Sequence, residues 1–379
     1  MDSTVAKKEE PVKLVMSTRT YDFMIDLVFK ARGFMFDSFE EHFPNRSKDG
    51  KLDSPYPTVL MGNHVWEGDI PALAAVYKHI TPKIKFAIPA REDILQKNFL
   101  QKEFRAKGIL KLLFKLIDSM HLIPRFMGYI GCFPIKRPFR DNTRELVKSG
   151  ELRNLVDQEW STLAEKVSQG KNLFLFPEGT YNQDGYLNQI KKGVYFLRSK
   201  FKDLHFTSFT FTYDYLSSKK LELQIGYGSL FPISSEANTD EVAGIVREKL
   251  GSNYTVTVGN LASYILFKLE GKTKEKKERI FGLLKSVAEK VNTLHPEIYI
   301  SKKLLGSGIS LAYETFLKKA SEAGFLKVEG EEIIFLEKLF HSHKDTHNLK
   351  KKNILLYHKN QLTYHFEKLD SIWSSIQAV

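Results

Sequence analysis

Between residues 58 and 235, short runs rich in β-branched and aromatic residues alternate with longer amphipathic stretches, the pattern of a sheet built from parallel strands and crossover helices. Strands are predicted at 58–63 (TVLMGN), 83–90 (KIKFAIPA), 131–137 (GCFPIKR), 172–177 (NLFLFP), 205–214 (HFTSFTFTYD) and 221–228 (LELQIGYG). Helices are predicted between them, over 69–80, 91–127, 151–169 and 188–202. The expected fold class is α/β: a layered domain with a largely parallel mixed sheet flanked by helices. From residue 236 onward the strand signal fades and helical pieces such as KERIFGLLKSVAEKVNTL dominate. Three regions follow: an amphipathic helical segment over 1–50, the layered domain over 51–235, and a smaller helical domain over 236–379. No repeat period runs through the chain, which excludes a solenoid.

Charge and cysteine content narrow the function classes. Lysine and arginine number 57 against 45 acids, a formal charge of +12, so a negative partner is expected: nucleic acid, anionic lipid or a phosphorylated substrate. The single cysteine, Cys132, can form neither an intrachain disulfide nor a thiolate zinc site, which points to a reducing compartment. The first residues hold no apolar run of signal-peptide length, so no secretion signal is expected. Nowhere do 18 apolar residues run together without charge. Two stretches are amphipathic. Thr20 to Phe43 reads as a helix packed on a core, whereas Gly108 to Pro134 (GILKLLFKLIDSMHLIPRFMGYIGCFP) fits a packed helix and a bilayer-interface helix equally well.

The chemistry begins where the first strand of the layered domain ends, in GNHVWEGD. Residues just past the carboxyl end of a parallel strand line the crevice where α/β sheets bind ligands. On one continuous helix His64 and Asp69 would lie about 140° apart, but Gly68 permits a turn and Asp69 precedes Ile70-Pro71 as an N-cap, so the carboxylate can return to the imidazole. Such a pair makes a general base. His365 and Asp370 repeat the spacing within an apparently continuous helix and are assigned to its solvated face. The second loop, LFLFPEGT (173–180), places Glu178 and Gly179 at another strand end, where a glycine admits close approach to a ligand.

Asn63, His64 and Asp69, then GCFPIKR (131–137), then FPEGT (176–180), in this order, resemble the four-block signature of the glycerolipid acyltransferases. The resemblance covers roughly residues 55–235. It implies that His64 is the catalytic base and Asp69 its support. It further implies that Asn63, Arg137, Glu178, Gly179, Thr180 and Lys192 bind substrate, Arg137 at the acceptor's phosphate and Glu178 with Gly179 along the acceptor. The implied reaction moves a fatty acyl group from acyl-CoA or acyl-carrier protein to a hydroxyl of a phosphorylated glycerol: lysophosphatidate, glycerol-3-phosphate or dihydroxyacetone phosphate. No cofactor and no metal are expected, and backbone donors near Gly179 or at the start of the helix after Asp69 are expected to hold the oxyanion. The expected partner is an anionic membrane surface rather than nucleic acid, and the expected location is cytoplasmic, peripheral on the cytoplasmic face of a membrane.

Two departures from the family pattern stand out. Position 181 is Tyr where many lysophosphatidate-type members carry Arg, and the fourth block, FTSFTFTYD, lacks its usual Pro and ends in Tyr213-Asp214. Other candidates fail on inspection. Gly271-Lys272-Thr273 mimics a P-loop end, but position 266 is Leu rather than Gly. HSHKDTH (His341, His343, His347) and the basic clusters at 272–279 and 350–352 read as solvated segments, and Cys132 as a packed small residue. The rival reading is a non-catalytic membrane- or nucleic-acid-binding protein on a degenerate acyltransferase scaffold.

Overall fold

The computed structural model describes residues 12–44, 50–66, 69–91, 108–135, 151–341 and 348–377. A seven-stranded sheet forms the centre. Its strands are β1 (Phe36–His42), β3 (Thr58–Gly62), β5 (Phe86–Arg91), β6 (Cys132–Ile135), β7 (Asn172–Leu175), β8 (His205–Asp214) and β9 (Leu221–Tyr227). Their order across the sheet is β1-β9-β8-β3-β7-β5-β6. From β8 to β6 neighbouring strands are parallel; β9 turns back antiparallel on β8, and β1 runs parallel to β9. A two-residue pair, β2 (Leu52–Asp53) with β4 (Ile80–Thr81), lies apart.

The strands divide the core by their period of two. Leu60, Phe174 and Phe209 point to one face, where they meet α1 (Arg19–Met35), α2 (Asp69–His79) and α4 (Leu122–Tyr129). Val59, Met61, Leu173 and Leu175 point to the other, against α5 (Glu151–Ser168), α6 (Gly193–Lys200) and α7 (Thr239–Gly251). Every residue of β3 is buried, which is why TVLMG reads as an unbroken apolar run: helices cover both faces. The expected α/β layering is the one observed.

Three boundaries differ from expectation. Thr20 to Phe43 is not one helix: α1, capped by the Thr18 hydroxyl accepting from the Tyr21 amide, ends at Met35, and FDSFEEH becomes β1. Phe39 and Glu41 face Leu223 and Ile225 across the pairing, so long-range hydrogen bonds override a local pattern that fits either structure. The predicted helix over 91–127 falls partly on 92–107, outside the described residues. Its described part is broken at Met120-His121, where His121 takes φ +52°, into α3 (Ile109–Ser119) and α4. The helix predicted over 188–202 starts only at Gly193, because the Lys191 amide donates to the Pro177 carbonyl and holds the preceding segment as a loop.

The later part of the chain packs around its own cluster, centred on α8 (Val258–Lys268), α9 (Lys277–Leu294) and α11 (Ile309–Glu322). Helices dominate, but β10 (Lys274–Lys276), β12 (Glu332–Phe335) and β11 (Leu326–Glu329) form a three-stranded antiparallel sheet that the sequence did not announce. These strands have three or four residues each, too few for a periodic signal. The chain closes with α12 (Glu337–Phe340), α13 (Leu349–Lys352), α14 (Ile354–Asn360) and α15 (Phe366–Gln377), with α10 (Lys302–Leu305) ahead of α11. The solvated-face expectation holds for Asp370, whose side chain is about half exposed, and fails for His365. His365 is buried in a 3₁₀ turn, its Nε2 donating to the Tyr254 carbonyl, while Asp370 pairs with Lys268 at 2.8 Å. Among the described residues no helix is long and apolar enough to cross a membrane.

Candidate active site

β3 and β7 are adjacent and parallel, with Val59 opposite Leu173 and Met61 opposite Leu175, so the loops after them emerge side by side. The first carries Asn63 and His64, the second Phe176 to Tyr181. His64 Nδ1 lies 2.8 Å from Asp69 Oδ2, so Nδ1 carries the proton of this hydrogen bond and Nε2 is left as the basic nitrogen. The turn foreseen at Gly68 falls outside the described residues, but its consequence is visible: the Asp69 amide donates to the Trp66 carbonyl, and Asp69 opens α2. Its carboxylate is almost fully buried and well supplied with donors. Oδ2 also accepts from the Val65 and Trp66 amides at 2.8 and 3.3 Å, and Oδ1 accepts from the Tyr213 hydroxyl at 2.6 Å. Burial and the adjacent Asp69 push the Tyr213 phenol far up, so it stays a donor.

The FPEGT loop holds the imidazole by its rings. Phe176 stacks on His64 with centroids 4.1 Å apart and planes 7° from parallel; Tyr181 packs on it at 4.2 Å. Tyr181, standing where an arginine was expected to meet a phosphate, is thus part of the seat of the imidazole. Behind the rings, backbone bonds join the two loops: the Asn182 amide donates to the His64 carbonyl at 2.6 Å.

Glu178 departs from the expectation that its carboxylate faces the acceptor. The side chain is fully buried; Oε1 accepts from the His64 amide at 3.2 Å and Oε2 from the Asn188 amide at 2.6 Å. Burial pushes its carboxyl up to about 7, against the two amides, with Asp184 and Asp69 adding to the rise. Glu178 is therefore a clamp between the strand-end loops. Asn63 is likewise enclosed: its Nδ2 donates to the Phe211 carbonyl at 2.9 Å and its Oδ1 accepts from the Phe211 amide at 2.7 Å, tying the His64-bearing loop to β8. An amide side chain is required because both a donor and an acceptor are used.

Gly179, Thr180 and Lys192 are exposed at the mouth, Lys192 directly before α6. Gly179 has φ +69°, a conformation that a Cβ would strain. Arg137 lies outside the described residues. Of the oxyanion donors foreseen near Gly179, the Gly179 amide itself is engaged with the Phe176 carbonyl.

Sequence reasoning missed the part played by the later chain. Gly185, at φ +87°, lies so close to the Tyr357 carbonyl of α14 that no Cβ fits. Asn360 Nδ2 donates to the Asp184 carbonyl and the Lys350 amide to the Gln183 carbonyl. The tail thereby buttresses the loop that clamps Glu178. The only hint was the polar, turn-forming composition of YNQDG. Among the described residues no group of three or more His, Cys, Asp or Glu is placed to hold a metal ion. Cys132 is buried, and burial pushes its thiol up to about 12.

Residues 112–208 match the model of the Acyltransferase family. No curated protein matches the chain. A solved structure, the 1-acyl-sn-glycerophosphate (LPA) acyltransferase PlsC from Thermotoga maritima, is a remote likeness at 15% identity and a TM-score of 0.38, over 61% of this chain and 78% of that one. The GCFPIKR and FPEGT blocks lie inside the matched residues, and the loop bearing the histidine and aspartate packs directly on the second of them. Over these residues the chain is similar to the Acyltransferase family.

Proposed function

We propose that the protein transfers a fatty acyl group from acyl-CoA or acyl-carrier protein to the hydroxyl of a phosphorylated glycerol, at an anionic membrane surface, with His64 as general base. The observation that carries this reading is the 2.8 Å contact between His64 Nδ1 and the buried Asp69 carboxylate, on an imidazole seated against Phe176 and Tyr181. A glycerol hydroxyl is a poor nucleophile until its proton is taken. His64 Nε2 accepts that proton as the oxygen attacks the thioester carbonyl carbon, and Asp69 stabilises the imidazolium that results. When the tetrahedral intermediate collapses, the carbon–sulfur bond breaks and the thiolate takes the proton from His64, leaving an ester and a free thiol. No acyl-enzyme is required, and the buried, protonated Cys132 is not suited to form one.

The basic side chains Lys191 and Lys192 at the mouth are suited to the acceptor's phosphate, in place of the arginine absent at 181. The test offers the purified protein labelled acyl-CoA and acyl-carrier protein with lysophosphatidate, glycerol-3-phosphate and dihydroxyacetone phosphate in turn. His64→Ala is expected to lower the rate by about 10² to 10⁴. A variant keeping more than about a tenth of the rate removes His64 from the role of base.

A further inference from the structure

The apolar side chains of α3 and the turn after it are turned outward. Ile109, Leu112, Leu113, Leu116, Met120 and Leu122 are exposed, from 85% for Ile109 to 42% for Leu122. Within α3 and its cap, positions 109, 112, 113, 116 and 120 fall inside an arc of about 100° at 100° per residue, so they form one stripe some 16 Å long. This is the reverse of a helix packed on a core. On α3 and α4 the exposed charges share one sign. Lys111, Lys115 and Arg125 are exposed, whereas Asp118, the sole acid between 108 and 135, is turned inward and only 3% exposed. Tyr129, at the far end of α4, is exposed as well, and α1, which adds exposed Phe23 and Leu27, is locked to α4 by the Tyr21 hydroxyl donating to the Ile130 carbonyl.

From this we infer that the α3–α4 arm is the element by which the protein seats itself in an anionic lipid bilayer, the stripe among the acyl chains and the lysines at the headgroups. The inference rests on the membrane-surface part of the proposed function and is independent of the His64–Asp69 pair. An anionic bilayer is the occupant that the exposed Lys111, Lys115 and Arg125 beside the stripe complement.

The test is co-sedimentation of the full chain with vesicles of phosphatidylcholine, alone or mixed equally with phosphatidylglycerol, at low and high salt. Wild type is expected to bind the mixed vesicles. Leu112→Ser with Leu116→Ser is expected to lower the bound fraction roughly tenfold or more. Lys111→Gln with Lys115→Gln is expected to weaken binding roughly fivefold per lysine at low salt, with the difference shrinking at high salt. Leu311→Ser, at an equally exposed leucine of α11, is expected to change nothing. Wild-type binding that survives the leucine substitutions, or wild type that ignores vesicles, overturns the inference. So does a change in the sedimentation of the protein alone caused by the leucine substitutions, which would assign the stripe to a second copy. As a check independent of folding losses, Leu116→Cys carrying an environment-sensitive dye is expected to shift to the blue on vesicle addition. Failure of the acyltransferase reading shows up separately, as no thioester consumption with a soluble short-chain donor and vesicles absent.

Discussion

The Asp69 carboxylate accepts from His64, Val65, Trp66 and Tyr213, and this concentration of donors is what fixes the imidazole with Nε2 free. Of the four, two are backbone amides supplied by the turn itself; Tyr213 comes from β8 and is a side chain that a substitution can remove. Tyr213→Phe is expected to cost about 1.5–3 kcal/mol of stability, as for a buried hydrogen bond to a charged group. It should also lower kcat about tenfold or more with KM little changed, because the loss falls on the positioning of the base rather than on the mouth. Denaturant unfolding and steady-state kinetics check the two parts. His64 and Asp69 were legible in the sequence from residue type, spacing and the strand before them. Tyr213 was visible only as the end of an atypical fourth block, and Glu178 and Asn63 looked like ligand contacts. Which polar side chains turn inward depends on strand registers that bring residues 63, 178 and 211 together, and no local pattern encodes them.

At the scale of elements, the loop from Phe176 to Lys192 is the piece on which the site depends. It supplies the rings that seat His64 and the clamp that joins it to Asn188, and it leans on α14 through Gly185. Gly185→Ala adds a Cβ at a left-handed φ and against the Tyr357 carbonyl, so it is expected to cost more than about 1–3 kcal/mol and to depress activity with it. Gly330→Ala, at φ +60° in the turn between β11 and β12 with open space around it, is the comparison, and is expected to cost only about 1–2 kcal/mol and leave activity intact. Thermal melts of both variants with activity assays separate backbone strain from collision. The buried strands were legible because helices on both faces make them continuous apolar runs. β1 and the small β10-β12-β11 sheet were not, being half-exposed or very short and held by distant partners.

For the whole molecule, buried histidines of the later chain contribute to the response to acid. Burial, with Lys350 and Lys319 nearby, pushes His358 down from 6.5 to about 4 against the pull of Asp214. Burial brings His365 to about 4 as well. Between these values the unfolded chain binds two protons that the folded chain refuses, so stability falls as pH drops below about 6.5 and levels off near 4. Glu178 acts with the opposite sign. Its carboxyl is raised, so its contribution is present at low pH and lost as pH rises through about 7. Glu159, its carboxyl also raised by burial to about 7, acts with Glu178, so the histidine share is read from the variant: His358→Gln is expected to raise Tm at acid pH relative to wild type and leave it little changed above about 6.5. The sequence by itself determined the layered α/β architecture, the positive charge and the pairing of His64 with Asp69, because these follow from periodicity, composition and short-range spacing. Only the tertiary structure decided that Glu178 and Asn63 are internal fasteners, that the tail buttresses the site loop, and that the stripe of α3 is left uncovered. Each of these turns on which surfaces meet across long stretches of chain, and that is settled by packing rather than by any local run of residues.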